Sequence, residues 1–186
     1  GDEANNAHVF NMATVVMEAI RLLPQPVIAE VGGLATAAGC QLVASCDLAI
    51  ASEEARFATP GVRNGLFCIT PGVALARAVP QKKAMEMLLT GLPITADEAL
   101  QFGLVSRVVP ADELHERTME LARHVSDASS YTLAIGKRSF YAQIGLDYGP
   151  AYEVAEKLMT ENMQAHDAHE GIDAFLTKRQ PEWKGR

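Results

Sequence analysis

The chain has 186 residues, 48% hydrophobic and 21% charged, enough apolar material for one packed domain and too much for extended disorder. A net charge of −7 weighs against nucleic-acid or anionic-membrane partners, which need a clustered positive surface, so any anionic ligand must be met by local basic residues. Cys40, Cys46 and Cys68 are odd in number and lack C-x-x-C spacing, which suits neither a disulfide framework nor a zinc site.

Those cysteines read as small packing residues of a reducing compartment. No run approaches the roughly 20 apolar residues that span a bilayer. The opening Gly1-Asp2-Glu3-Ala4-Asn5-Asn6 has no basic-then-apolar signal pattern, so a soluble protein is expected. In chain order, Phe10, Ala13, Met17 and Ile20 share a helical face that ends at Pro24-Gln25-Pro26. Val27 to Val31 reads as a buried strand bounded by Pro26 and Gly32-Gly33, and the small residues from Thr36 to Ser45 as a tightly packed helix. Asp47 to Ala51 is a second buried strand, completing an α/β unit. From Pro71 helices dominate: a weak one near 72–79, a stronger one over 81–90, and a short one fixed by the capping box Thr95-Ala96-Asp97-Glu98 and ended by Gly103. Leu104 to Val109 reads as a last strand. Leu114, Thr118, Leu121, Ala122 and Val125 mark an amphipathic helix, Tyr152, Ala155, Met159 and Met163 another, and Ile172, Phe175 and Leu176 a third.

The stretch most informative for function is Gly32-Gly33-Leu34-Ala35-Thr36-Ala37-Ala38-Gly39-Cys40-Gln41-Leu42, a strand-to-helix turn of small residues. Such a turn lets a ligand approach the backbone, and the unpaired N–H groups of a first helical turn can bind an anion or a carbonyl oxygen that gains charge in a reaction. The alternative is that Gly and Ala merely let the helix lie close on the sheet. A dinucleotide reading is weaker still, because the glycines are not spaced G-x-G-x-x-G and Asp47 follows too soon for a ribose contact.

Pro26-Val27-Ile28-Ala29 with this turn, Gly39-Cys40-Gln41-Leu42, Cys46-Asp47 and Phe57-Ala58-Thr59-Pro60 resemble the central signature of the crotonase family of enoyl-CoA hydratases and isomerases. Glu86 to Gly91, Ala96 to Ala99 with Gly103-Leu104-Val105, and Glu170 to Phe175 with Lys178-Arg179 follow in the family's order. The resemblance runs from Pro26 to Trp183. It implies an α/β fold, the crotonase stack of ββα turns with a helical C-terminal trimerisation region. Residues 1–110 would form the C-terminal part of the core, and 111–186 the helical region of the same domain. It further implies an acyl-CoA thioester as ligand, coenzyme A as part of the substrate with no separate cofactor or metal, and a homotrimer or dimer of trimers. The Ala38 N–H would polarise the thioester carbonyl, with Leu34, Ala37, Pro60, Gly61 and Gly65 against the acyl group. Phe175 and Lys178 would lie near the CoA nucleotide of their own or a neighbouring subunit. A second donor N–H and much of the adenine-binding wall come, in the family, from strands preceding the first helix seen here.

Two departures matter more than these matches. Active hydratases resembling this chain carry one glutamate where it has Gln41 and another where it has Gly61. Hydration needs a base to deprotonate water and an acid to protonate the neighbouring carbon, and neither an amide nor a hydrogen does this near neutral pH. Leu66 to Gly72 offers no carboxylate for isomerase chemistry either. Gln41 could hold a water or simply satisfy a buried neighbour. A side chain at position 61 would be strained if the glycine has positive φ.

His166 and His169 stand three apart with no further ligand pattern and read as a solvated helix end. The expected function is therefore acyl-CoA binding with weak or absent hydratase activity. Its rivals are an active enzyme with an atypical site and a non-catalytic assembly subunit. The expected location is cytoplasmic, or the mitochondrial matrix in a eukaryote.

Overall fold

The computed structural model describes residues 2–186; residue 1, where the first expected region begins, lies outside the described residues. The chain forms two compact units, one comprising the residues up to Arg21 with Val27–Glu120, the other Leu22–Pro26 with Leu121–Arg186.

The first unit opens with helix α1 (Glu3–Leu22), stopped by the two prolines. Ile20 is its buried residue, with Ala13 and Met17 half-buried, but Phe10, expected on the same inward face, is exposed. Strands β1 (Ile28–Val31), β3 (Leu48–Ser52) and β6 (Arg107–Val109) make a parallel sheet in the order β1-β3-β6. Ala29 pairs with Ala49, and Ala51 with Val108. A second sheet, β2-β4-β5, joins β2 (Leu34–Thr36) and β4 (Arg56–Ala58) in parallel and β5 (Ile94–Thr95) antiparallel.

Helix α2 (Ala38–Ser45) packs on α3 (Ile69–Ala78), which also meets α4 (Gln81–Thr90). Phe57, Ile50, Leu75 and Met87 are fully buried, each contributing about 1.5–3 kcal/mol of hydrophobic stabilisation. The capping box stands as the sequence indicates: Thr95 Oγ1 accepts from Glu98 N–H and the Glu98 carboxylate from Thr95 N–H, starting α5 (Ala96–Gln101). Gly103 takes a left-handed φ of 83° after it. The strand expected over 104–109 is confined to Arg107–Val109, because Leu104 and Val105 enter the core from a turn whose N–H groups return to Ala99.

Helix α6 (Leu114–Ser126) carries the division between the units, which falls at Glu120 and Leu121. The second unit contains α7 (Ser130–Gln143), α8 (Tyr148–Met163) and α9 (His166–Thr177). On α8 the expected face is met only at Ala155, which turns partly inward with Val154 and Leu158, while Tyr152, Met159 and Met163 are exposed. On α9 Ile172, Phe175 and Leu176 likewise face outward, and Asp167 and Ala174 are the buried residues.

Asp167 organises this unit's tail. Its carboxylate accepts from Ser129 Oγ at 2.6 Å, Lys184 N–H at 2.8 Å and Gly185 N–H at 2.9 Å, and lies 3.2 Å from His166 Nδ1. Burial pushes the Asp167 pKa up, but these donors together outweigh it and hold the group well below the usual carboxylate range. The Trp183 ring lies against Gly171, and its Nε1–H donates to Asp127 O at 2.8 Å.

Candidate active site

Strand β2 is only three residues long, with Leu34 and Thr36 outward and Ala35 inward. It passes into α2 through a single residue, Ala37, at φ 49° and ψ −112°. This is backbone that glycine adopts freely and an L-residue only at a cost. Two hydrogen bonds hold it there. Ala37 N–H donates to Ala58 O at 2.9 Å, extending the β2–β4 ladder, and Ala37 O accepts from Gln41 N–H at 3.0 Å, opening the helix.

Gln41 is thus the first α2 donor to close a helical bond, which leaves the Ala38 and Gly39 N–H groups as open donors of the first turn among the described residues. Ala38 is exposed and Gly39 half-buried, so a ligand oxygen can reach them. Fixed donors at a helix N-terminus suit the oxygen of a polarised thioester carbonyl. Leu34, 66% exposed on the preceding strand, gives the same turn an apolar flank.

One turn along α2, Gln41 is buried, and among the described residues its amide has no hydrogen-bond partner; Ser45 Oγ donates only to its backbone oxygen, at 2.8 Å. Among the described residues, then, no neighbour is satisfied by that amide. Cys40 beside it is fully buried, and burial, with the nearby Cys68, pushes its thiol up to about 12. It stays protonated at neutral pH and packs as an apolar group.

Beyond β4 the chain enters a 3-10 turn, Pro60–Asn64, with Pro60 in the first helical position and Gly65 closing it at φ 73°. Thr59, just before it, is wholly buried with an Oγ1 that has no partner among the described residues. Gly61 does not have the positive φ considered from sequence. Its need for glycine is one of space. A Cβ there would lie 2.6 Å from Leu66 O, 2.8 Å from Cys68 Sγ and 3.3 Å from Cys68 N. The loop folds back on Gly61: Leu66 N–H donates to Gly61 O at 3.0 Å, and Gly61 N–H to Cys68 Sγ at 3.3 Å. From the other side Gly91, at φ 61°, abuts Pro60, where a Cβ would come within 2.9 Å of Pro60 Cα.

Leu34, Ala37, Ala38 and Gln41 are thus joined to Pro60, Gly61 and Gly65 through the β2–β4 pairing and the Ala37–Ala58 hydrogen bond. Phe175 and Lys178 belong to the second unit. Phe175 is 82% exposed, and Lys178 caps α9 in the left-handed region at φ 56° and ψ 40°. Ala37 and Lys178 are the non-glycine residues with positive φ among those described. Sequence reasoning did not find the strain at Ala37, since nothing in an alanine marks it. It also missed the orphaned Thr59 hydroxyl and the part of Cys68 at Gly61, because those depend on loop closure.

A ββα core whose strand-to-helix turn offers free backbone donors is the architecture of the crotonase fold, and the chain belongs to the enoyl-CoA hydratase/isomerase family, whose sequence profile matches residues 3–186. Among individual proteins it is similar to human mitochondrial enoyl-CoA hydratase domain-containing protein 3, 56% identical over 178 residues covering 96% of this chain and 59% of the relative. The crystal structure of that human protein superposes with a TM-score of 0.93 at 57% identity, covering 96% of this chain and 70% of the other. An enoyl-CoA hydratase structure from Mycobacterium smegmatis gives 0.96 at 48% identity, covering 98% and 71%. The chain spans about three-fifths of the length of these curated relatives.

Proposed function

We propose that this protein binds acyl-CoA thioesters through the α2 N-terminus and has weak or absent enoyl-CoA hydratase activity. The observation that carries the reading is the pairing of open donors at Ala38 and Gly39 with a site lacking both acid–base carboxylates. Gln41 supplies an amide, and at Gly61 the space for a side chain is taken by the Leu66 carbonyl and Cys68. A thioester carbonyl can be polarised there, but water is not deprotonated and the α-carbon is not protonated. Each missing role is worth about 10²–10⁴ in rate, and the two do not multiply simply.

Calorimetry of the complete protein with butyryl-, octanoyl- and palmitoyl-CoA tests the binding. Tighter binding of the thioesters than of the corresponding free acids is expected, and no heat with any of the three overturns the reading. Crotonyl-CoA hydration, followed by loss of the conjugated absorbance, should stay near background. Robust turnover would instead favour an atypical active enzyme in which Gln41 positions the water.

The assembly that goes with this reading is a homotrimer or a dimer of trimers. In its favour, Tyr148, Tyr152, Met159, Phe175 and Leu176 of the second unit are each more than half exposed. A cleft of about 430 Å³ between α7 and α8 is lined by Ile135, Leu158, Met159 and Asn162, whose Oδ1 is buried without a partner among the described residues. A neighbour's side chain would fill it. Light scattering decides, and a clean monomer removes both the assembly and a CoA site completed by a neighbour's Phe175 and Lys178. The mitochondrial relatives support a mitochondrial location in a eukaryotic source.

A further inference from the structure

We infer that Cys68 is a specificity-determining residue of this site: its thiol fills the place that a side chain at position 61 would enter, and so keeps an acid–base carboxylate out. The inference rests on the acyl-thioester reading above, and it concerns why the site lacks a second carboxylate.

Position 61 is closed by two groups of different kinds. The Leu66 carbonyl, 2.6 Å from the position of a Cβ, is backbone, and no substitution removes it. The Cys68 sulfur, 2.8 Å away, is side chain. It also accepts the Gly61 N–H at 3.3 Å, so it both blocks the space and ties the loop shut. Cys68 is the N-cap of α3, and Gly72 N–H donates to its carbonyl at 2.9 Å, which anchors the sulfur to a helix that packs on α2. It is buried in the same apolar cluster as Cys40, Leu75 and Leu88, so it cannot swing aside without opening a void. Removing the sulfur releases the Gly61 N–H and opens space into which a Cβ can go. The Leu66 carbonyl, which is backbone and 2.6 Å from the Cβ, must still move to clear it, and the vacated space gives the loop room to do so. Glycine at 61 and cysteine at 68 therefore act as one pair.

The test is a double-mutant cycle in the complete protein, read by thermal melting. Gly61→Ala adds only the Cβ and should lower the melting temperature by about 5 °C. Cys68→Ala should cost less in the Gly61→Ala background than in the unmodified protein, because the new methyl occupies the vacated space. Additive shifts overturn the inference, as does a Gly61→Ala protein that melts unchanged. A second arm separates pairing from simple packing. Hydration of crotonyl-CoA by Gln41→Glu/Gly61→Glu is compared with the same variant carrying Cys68→Ala, and kcat/KM should rise about tenfold or more in the triple variant. Equal rates in the two, or background activity in a triple variant that still binds acyl-CoA, overturn it. If the glutamate variants do not fold, the alanine cycle decides. Absence of acyl-CoA binding by the unmodified protein instead overturns the proposed function, and the thermal coupling then reports on the closure of position 61 by itself.

Discussion

Replacing Ala37 by glycine should stabilise the protein, although it deletes a methyl group at the centre of the candidate site. At φ 49° and ψ −112° an L-residue carries strain of about 1–3 kcal/mol. Glycine is unstrained there, but its freer unfolded chain takes back about 0.4–1 kcal/mol. The net expectation is a gain of about 1 kcal/mol, or about 2–4 °C in melting temperature for a chain of this size. Ala37 N–H and O are both engaged, with Ala58 O and Gln41 N–H, so the glycine variant should keep the same turn. Affinity for acyl-CoA should then be unchanged. Urea denaturation is the assay, because an unchanged slope with a higher midpoint isolates stability from a change in compactness. A lower midpoint would refute the argument and show that the Ala37 methyl contributes more by packing than the backbone loses by strain.

In the second unit, Asp167→Asn removes the charge that collects Ser129 Oγ and the Lys184 and Gly185 N–H groups, and should cost about 2–3 kcal/mol in urea unfolding followed by the fluorescence of Trp183, the single tryptophan. Acid should weaken the same unit. Arg179, with the Glu182 N–H, holds the Glu170 carboxyl down at about 2 against an ordinary 4.5, and Asp167 is shifted in the same direction. A folded pKa below the unfolded one gives stability that is complete above the ordinary value and lost as pH falls through the folded value. Melting temperature should therefore decline progressively from about pH 5 towards pH 2, and a flat profile across that window would contradict the assignment. Thr95→Ala, which dismantles the capping box of α5, should cost about 1 kcal/mol by the same unfolding assay.

The elements legible in the sequence are those with strong local signals. Paired prolines end α1, the apolar runs around Ala29 and Ile50 are β1 and β3, and the Thr95–Glu98 box is present with both of its hydrogen bonds. Strands β2 and β4 are three residues each, too short for a period of two to register, and Leu34 to Thr36 is absorbed by the small-residue turn around it. Helix α7 escapes notice because Ile135 is its one buried residue among those described, so no inward apolar stripe marks it. The α9 face, and the α8 face apart from Ala155, are misread for a related reason: apolar residues at helical spacing do not say whether the surface they meet lies within the same chain. At the site, the residue types at 41 and 61 are plain in the sequence. Whether Gly61 is glycine for its dihedral angles or for its surroundings is a question of space, and depends on where Leu66 and Cys68 return.

The loop around Gly61 also bears on how such a protein can change over generations. Pro60 is pressed by Gly91 on one side, while Gly61 faces the Leu66 carbonyl and Cys68 on the other. A single codon change placing glutamate at 61 meets occupied space before it gains any chemistry, and a change at 68 alone leaves a void with nothing to fill it. Neither first step is favourable by itself. Under the proposed function, a lineage with this loop would be held away from hydratase chemistry by the order in which mutations must arrive, a ratchet made of one missing side chain and the atoms that have closed over its place.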